Sequence, residues 1–166
     1  MVEGLVQSFI DLFGGLNKNL VIFIISLMPI LELRGGLIAA SLLKLNFFSS
    51  FIICFIGNLL PIPFILWFIT PLFDKLRKTK FLSKIINKLE DKANKKKGSI
   101  EKKEFIGLLL FVGIPLPGTG AWTGSLIAAL INMDKKKALL AAFLGVILAG
   151  IIMSIFSYGI LGNIIK

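Results

Sequence analysis

Two stretches of this chain repeat one another, Gly35-Gly36-Leu37-Ile38-Ala39-Ala40 and Gly124-Ser125-Leu126-Ile127-Ala128-Ala129. Each follows a proline-bearing break inside a long apolar run. The first break adds Glu32 and Arg34. Two formal charges at mid-depth of a bilayer cost about 2.5–3.5 kcal/mol each on insertion scales unless paired or hydrated, which argues against straight lipid-facing helices. Repeats interrupted at that depth are how many transporters build a substrate site, so transport is the first function to weigh.

Composition decides the solvent. Hydrophobic residues make up 56% of the 166, and phenylalanine alone occurs 15 times. With a mean hydropathy of +0.90, the chain has more apolar surface than a soluble domain of this size can hide. It reads as an all-α integral membrane protein forming a single membrane domain over 1–166.

The formal charge of +10 comes from 19 Lys+Arg against 9 Asp+Glu, and its distribution speaks against nucleic acid as a partner. Twelve of the basic residues lie between Pro71 and Glu104, and three more form Lys135-Lys136-Lys137. Basic clusters beside apolar spans mark cytoplasmic loops, where anionic lipid headgroups satisfy them. The expected location is the cytoplasmic membrane of a prokaryote, with the 71–104 segment on the cytoplasmic side.

There is no histidine and one cysteine, Cys54, set in an apolar run. His-based metal sites, His general bases and an intramolecular disulfide are therefore excluded, and neither a metal nor a cofactor is expected. Without an intramembrane Asp either, the catalytic inventory is too thin for an enzyme. No nucleotide-binding loop is present to drive a pump.

Along the chain, residues 1–13 form a short amphipathic helix with Glu3, Gln7 and Asp11 on a thin polar stripe. It is suited to lie on the membrane or to pack on the bundle. Residues 19–43 hold the first break at Pro29 and Glu32–Gly36. Residues 47–70 read as a true span, bent where Asn58, Pro61 and Pro63 leave carbonyls without amide partners. Lys80, Lys84, Lys88 and Lys92 oppose an apolar face, which predicts a basic surface helix, with Asn94 to Ser99 a flexible turn. Residues 105–131 repeat the broken design around Pro115-Leu116-Pro117-Gly118-Thr119-Gly120. A last span runs to about Ile160, and its Gly145, Ala149 and Gly150 offer a small face for packing a second copy of the chain. The units are 1–70, 71–104 and 105–166.

Two topologies fit. Either all four apolar runs cross, or 19–43 and 105–131 are re-entrant hairpins that enter and leave on one side. The lysine distribution differs little between the two, and the repeat tips the balance. A unit of one non-crossing hairpin plus one crossing helix begins its next copy on the opposite side. Two such units in tandem are thus an inverted pair, whose tips meet near the midplane. Gly35 and Gly124 are 89 residues apart and Gly57 and Gly145 are 88 apart, so the repeat extends from hairpin into span with one deletion.

On a continuous helix Glu32 and Arg34 would point about 200° apart and could not pair. Either the backbone is unwound there or each finds another partner; both alternatives face them inward. Gly118, Thr119, Gly120 and Thr123 lie where a half-helix begins, and exposed amides at a helix N-terminus favour a phosphate or carboxylate. The Gly35-Gly36 step opens the equivalent half-helix of the first repeat. Glu32, the one carboxylate within a membrane segment, is the candidate proton carrier.

At Pro29-Ile30-Leu31-Glu32-Leu33-Arg34-Gly35-Gly36 and at Ile114-Pro115-Leu116-Pro117-Gly118-Thr119-Gly120-Ala121-Trp122-Thr123-Gly124-Ser125 the chain closely resembles the small multidrug export family. That family in turn is similar to the DedA and VTT membrane proteins, which have paired re-entrant hairpins and are linked to moving lipids, polyprenyl phosphates among them. The resemblance implies that Glu32, Arg34, Pro115, Pro117, Gly118 and Thr119 line the site. After the first Arg-Gly the family often carries a proline, whereas here Leu37-Ile38 continue, so the first half-helix is expected to start differently.

The expected function is a small secondary transporter or lipid translocase, coupled to protons, that binds an anionic headgroup of a lipid or small molecule. Its substrate-binding residues are expected to be Glu32, Arg34, Gly35, Gly36, Asn58, Pro115, Pro117, Gly118, Thr119, Gly120, Trp122 and Thr123. The alternatives are a proton-driven exporter of cationic amphipathic drugs and a non-transporting scaffold or scramblase subunit. Two spans and two hairpins enclose little, so a homo-oligomer, a dimer, is expected.

Overall fold

The computed structural model describes residues 2–13, 15–69, 71 and 97–161, and every regular element among them is helical. Helix α1 spans Val2–Leu12, α2 Lys18–Leu27, α3 Glu32–Leu42 and α4 Phe47–Leu59. A short α5, Pro61–Phe64, and a π-helical segment, Ile65–Ile69, continue α4. Then come α6 (Lys97–Gly113), α7 (Ala121–Leu130) and α8 (Lys135–Ser154), which ends in a second π-helical segment, Ile155–Leu161.

Local chemistry sets these limits. Asn17, Asn46 and Asp134 cap α2, α4 and α8, their side chains accepting from the amides of Asn19, Ser49 and Lys137. Pro29 follows the end of α2, while Pro61 and Pro63 interrupt the α4 hydrogen-bond ladder just before it widens into the π segment. The ends of α3 and α7 are closed identically. Leu45 N donates to Ala40 O, and Met133 N to Ala128 O, each bridging a left-handed residue, Lys44 at φ +54 and Asn132 at φ +57. These closures are 88 residues apart, whereas the helix starts, Glu32 and Ala121, are 89 apart. The single deletion in the repeat thus falls inside the half-helices, 11 residues in α3 and 10 in α7.

Each half-helix turns back along its predecessor. Gly35 lies against Ile25 and Gly36 against Ser26 and the Ile22 carbonyl, while Gly124 lies against Val112 and Leu108. At Gly36 three helices converge so closely that a Cβ would overlap Ser26 Oγ and stand 2.8 Å from Cys54 Sγ. Helix α1 packs on α2 and α3 through the fully buried Val6, the bundle-packed option of the two open for it.

Two continuous helical runs, Phe47–Ile69 of 23 residues and Lys135–Gly159 of 25, are long and apolar enough to cross a membrane. Helices α2 and α7, at 10 residues each, rise only about 15 Å against a hydrocarbon core of about 30 Å. Phe48, Ile52, Ile56, Leu60, Phe64 and Phe68 form an exposed stripe every fourth residue, a surface suited to lipid. The two ends of α8 lie far apart. Tyr158 OH donates to Leu45 O and Ser41 Oγ donates to Ser157 O, so the α3–α4 turn sits at the opposite end of α8 from Lys135.

Two sequence expectations are corrected. The small face assigned to a second copy of the chain is consumed internally: a Cβ at Gly145 would stand 2.8 Å from Leu109 O, and one at Gly150 2.7 Å from the Phe51 ring. Both glycines sit under neighbouring helices of the same chain because only a missing side chain lets α8 approach α6 and α4 that closely. The flexible turn expected at Asn94 to Ser99 is already helix from Lys97, since the Glu/Lys run that follows favours helix. The basic surface helix expected over Lys80 to Lys92 lies outside the described residues.

Candidate functional site at the two breaks

The break in the second unit leaves two raw helix ends, the carbonyls closing α6 and the amides opening α7. Gly120, at the N-cap of α7, provides no side-chain cap, and φ values of +80 at Gly118 and +145 at Gly120 make this backbone one that glycine suits. Within it, Thr119 N donates to Leu116 O at 3.2 Å, closing a turn with proline second and a positive-φ glycine third, the type II pattern.

The first unit closes both ends. Glu32, 4% exposed at the start of α3, directs its carboxylate onto α7. Its Oε2 accepts from Ala121 N at 3.1 Å and its Oε1 from Trp122 N at 3.0 Å. A carboxylate on the first amides of a helix meets both the unpaired donors and the positive end of the dipole. The fit leaves no room for a side chain on Gly120, whose Cβ would overlap the Glu32 carboxylate. Glu32 itself has φ +52, an uncommon conformation for a non-glycine residue.

Arg34 does the converse. Its Nη1 donates to Leu116 O at 2.9 Å, and its Nη2 to Val112 O at 3.2 Å, Ile114 O at 3.2 Å and Thr119 Oγ1 at 3.1 Å. A guanidinium here serves the orphan carbonyls and the negative dipole end of α6 at once. Thr119 Oγ1 also lies within hydrogen-bond reach of Ile114 O and Leu116 O, 2.9 and 2.8 Å away, and stitches the same turn. The contact is reciprocal, since Trp122 Nε1 donates to Leu27 O, 3.1 Å away at the end of α2. One donor in this cluster is unused: Arg34 Nε is buried and has no hydrogen-bond partner.

Of the residues expected to bind substrate, the structure brings Glu32, Arg34, Thr119, Gly120 and Trp122 into one cluster, with Pro115, Pro117 and Gly118 along the same turn. The latter two are exposed. Gly35 and Gly36 face α2 and α4 instead, where their missing side chains admit Leu31, Ile25, Ser26 and Cys54. Thr123 is half-buried in the first turn of α7. Asn58 is buried on α4, and its Oδ1 has no hydrogen-bond partner. The amides expected to receive an anion do receive one, and it is the chain's own Glu32. Sequence reasoning missed this pairing. The signal was available, because a membrane-embedded helix start with no Ser, Thr, Asp or Asn at its cap needs an acceptor from elsewhere, and one membrane carboxylate existed.

Among the described residues no group of three or more His, Cys, Asp or Glu could hold a metal ion. A family model described as "Putative small multi-drug export protein" matches residues 32–152, a span that holds every member of the cluster except the Leu27 carbonyl. No curated protein and no solved structure matches the chain.

Proposed function

The chain belongs to the small multi-drug export family, and on that premise we propose that it is a small secondary transporter or lipid translocase of the cytoplasmic membrane. In this reading it binds an anionic, phosphate-bearing headgroup at the two breaks and exchanges a proton at Glu32. The carrying observation is the bidentate seat of Glu32 on the Ala121 and Trp122 amides. A carboxylate there occupies the position a headgroup oxygen would take. Protonation removes its negative charge, frees the amides, and lets one anionic charge enter as one proton does, so the low-dielectric interior gains no net charge. Arg34 Nε is a further donor for the incoming group.

The arrangement is read as an inverted repeat of two re-entrant hairpins, each followed by a crossing helix. Supporting it, both half-helices turn back along their predecessors, and the α3–α4 turn and the α7–α8 turn lie at opposite ends of α8. The side that carries Lys135 to Lys137 is taken as the cytoplasmic one, because basic residues concentrate in cytoplasmic loops. A dimer would complete the enclosure, through a surface other than the buried Gly145 and Gly150 face.

Flux of labelled polyprenyl phosphate in proteoliposomes tests this reading. Glu32→Gln and Arg34→Ala are each expected to lower it by about 10-fold or more, the scale of losing one charged contact. Unchanged flux in both variants overturns the assignment. The family description favours a second reading, export of cationic amphipathic drugs with Glu32 as the cation's partner. Dye resistance on overexpression that disappears with Glu32→Gln, alongside unaffected lipid flux, selects it.

A further inference from the structure

Away from the breaks, α6 and α7 part to leave an apolar crevice of about 220 Å³. Its walls include Gly107, Leu108 and Phe111 of α6, Ile127 of α7, and Ile131 and Met133 of the turn that follows. At 220 Å³ it is smaller than the roughly 300–1,000 Å³ of a drug-sized pocket, and its lining is nearly all hydrocarbon, which suits a narrow chain rather than a ring system. Gly107 leaves this part of the wall without a side chain, and a Cβ added there meets nothing within 4 Å.

Lysines adjoin this lining along the chain. Lys103 is exposed on α6 next to the rim, and Lys135 and Lys136 begin α8 just beyond Met133. Two acids share the region. Asp134 caps α8, and Glu104 on the rim is itself engaged in an interaction within the chain. An apolar slot with lysines next to its lining residues offers the two parts that an anionic phospholipid needs. We propose that the α6–α7 crevice binds one acyl chain of an anionic phospholipid, whose phosphate is held by Lys103, Lys135 and Lys136. The site is separate from the Glu32–Arg34 cluster and does not depend on the transport reading.

Native mass spectrometry of the full chain tests the proposal, after exchange into mixed micelles of phosphatidylglycerol and phosphatidylcholine with matched acyl chains. The wild type is expected to retain one phosphatidylglycerol in preference to phosphatidylcholine. Lys135→Gln with Lys136→Gln reduces that preference by roughly 10-fold, at about 1 kcal/mol for each basic residue near the surface, tempered by the neighbouring acids. Gly107→Leu, whose side chain grows into open space, abolishes retention of the lipid. Soluble glycerol 1-phosphate does not compete, because it lacks the chain. Equal retention of the two lipids by the wild type, retention unaffected by Gly107→Leu, or displacement by glycerol 1-phosphate each overturns the proposal. Should Gly107→Leu fail to fold, a double-lysine variant that keeps the full preference overturns it alone.

Discussion

At the scale of single residues, the fold turns on two side chains that each close a helix end 80 to 90 residues away in sequence. Glu32 supplies the acceptor that the start of α7 lacks, and Gly120 is the residue whose missing Cβ admits it. Each hydrogen bond to a charged group contributes about 1.5–3 kcal/mol, and a buried amide left unpaired costs about as much again. Glu32→Ala and Gly120→Ala are therefore expected each to destabilise by about 2 kcal/mol or more. Combined, they lose clearly less than the sum, because both remove one cap. Reversible unfolding in mixed detergent micelles measures the cycle, and strict additivity would show that Gly120 does not act through Glu32. That Glu32 and Arg34 face inward was legible from the cost of a charge in hydrocarbon. Of their partners, only the Glu32–α7 pairing left a signal, the uncapped start of that helix, while nothing local ties Arg34 to the end of α6.

At the scale of elements, helix ends rather than helix middles carry the specificity. The same devices recur in both units: a side-chain cap at the start of the long helix, a left-handed residue closing the half-helix, and a π-helical finish. Asn46→Ala and Asp134→Ala remove equivalent caps and should each destabilise by about 1 kcal/mol. Because the two caps lie at opposite ends of the bundle, the losses are expected to add within about 0.5 kcal/mol, as unfolding of the double variant would show. The broken runs and their prolines were readable in the sequence, as was the span over 47–70. The start of α6 at Lys97 was missed because a polar Glu/Lys helix carries no apolar period to mark it.

At the scale of the whole molecule, the two broken helix pairs meet by their breaks, while the turns that follow α3 and α7 lie at opposite ends of α8. Lys44 on the first turn and Lys136 just past the second, in the first turn of α8, are both exposed. A cysteine placed at each, labelled in sealed vesicles with a membrane-impermeant maleimide, is expected to react from opposite sides. Cys54 is fully buried and adds no background. Labelling of both from one side would restore four crossings. By itself the sequence determined the solvent, the helical class, the repeat and the identity of the interior charges, because each follows from hydropathy, proline geometry and the energetics of charge in a bilayer. Only the tertiary structure decided that Glu32 occupies the amides otherwise open to an anion, that Arg34 closes α6, and that the glycines of α8 pack inward. Those outcomes depend on which helix ends come within about 3 Å of one another, a distance set by packing across the chain and carried by no local pattern.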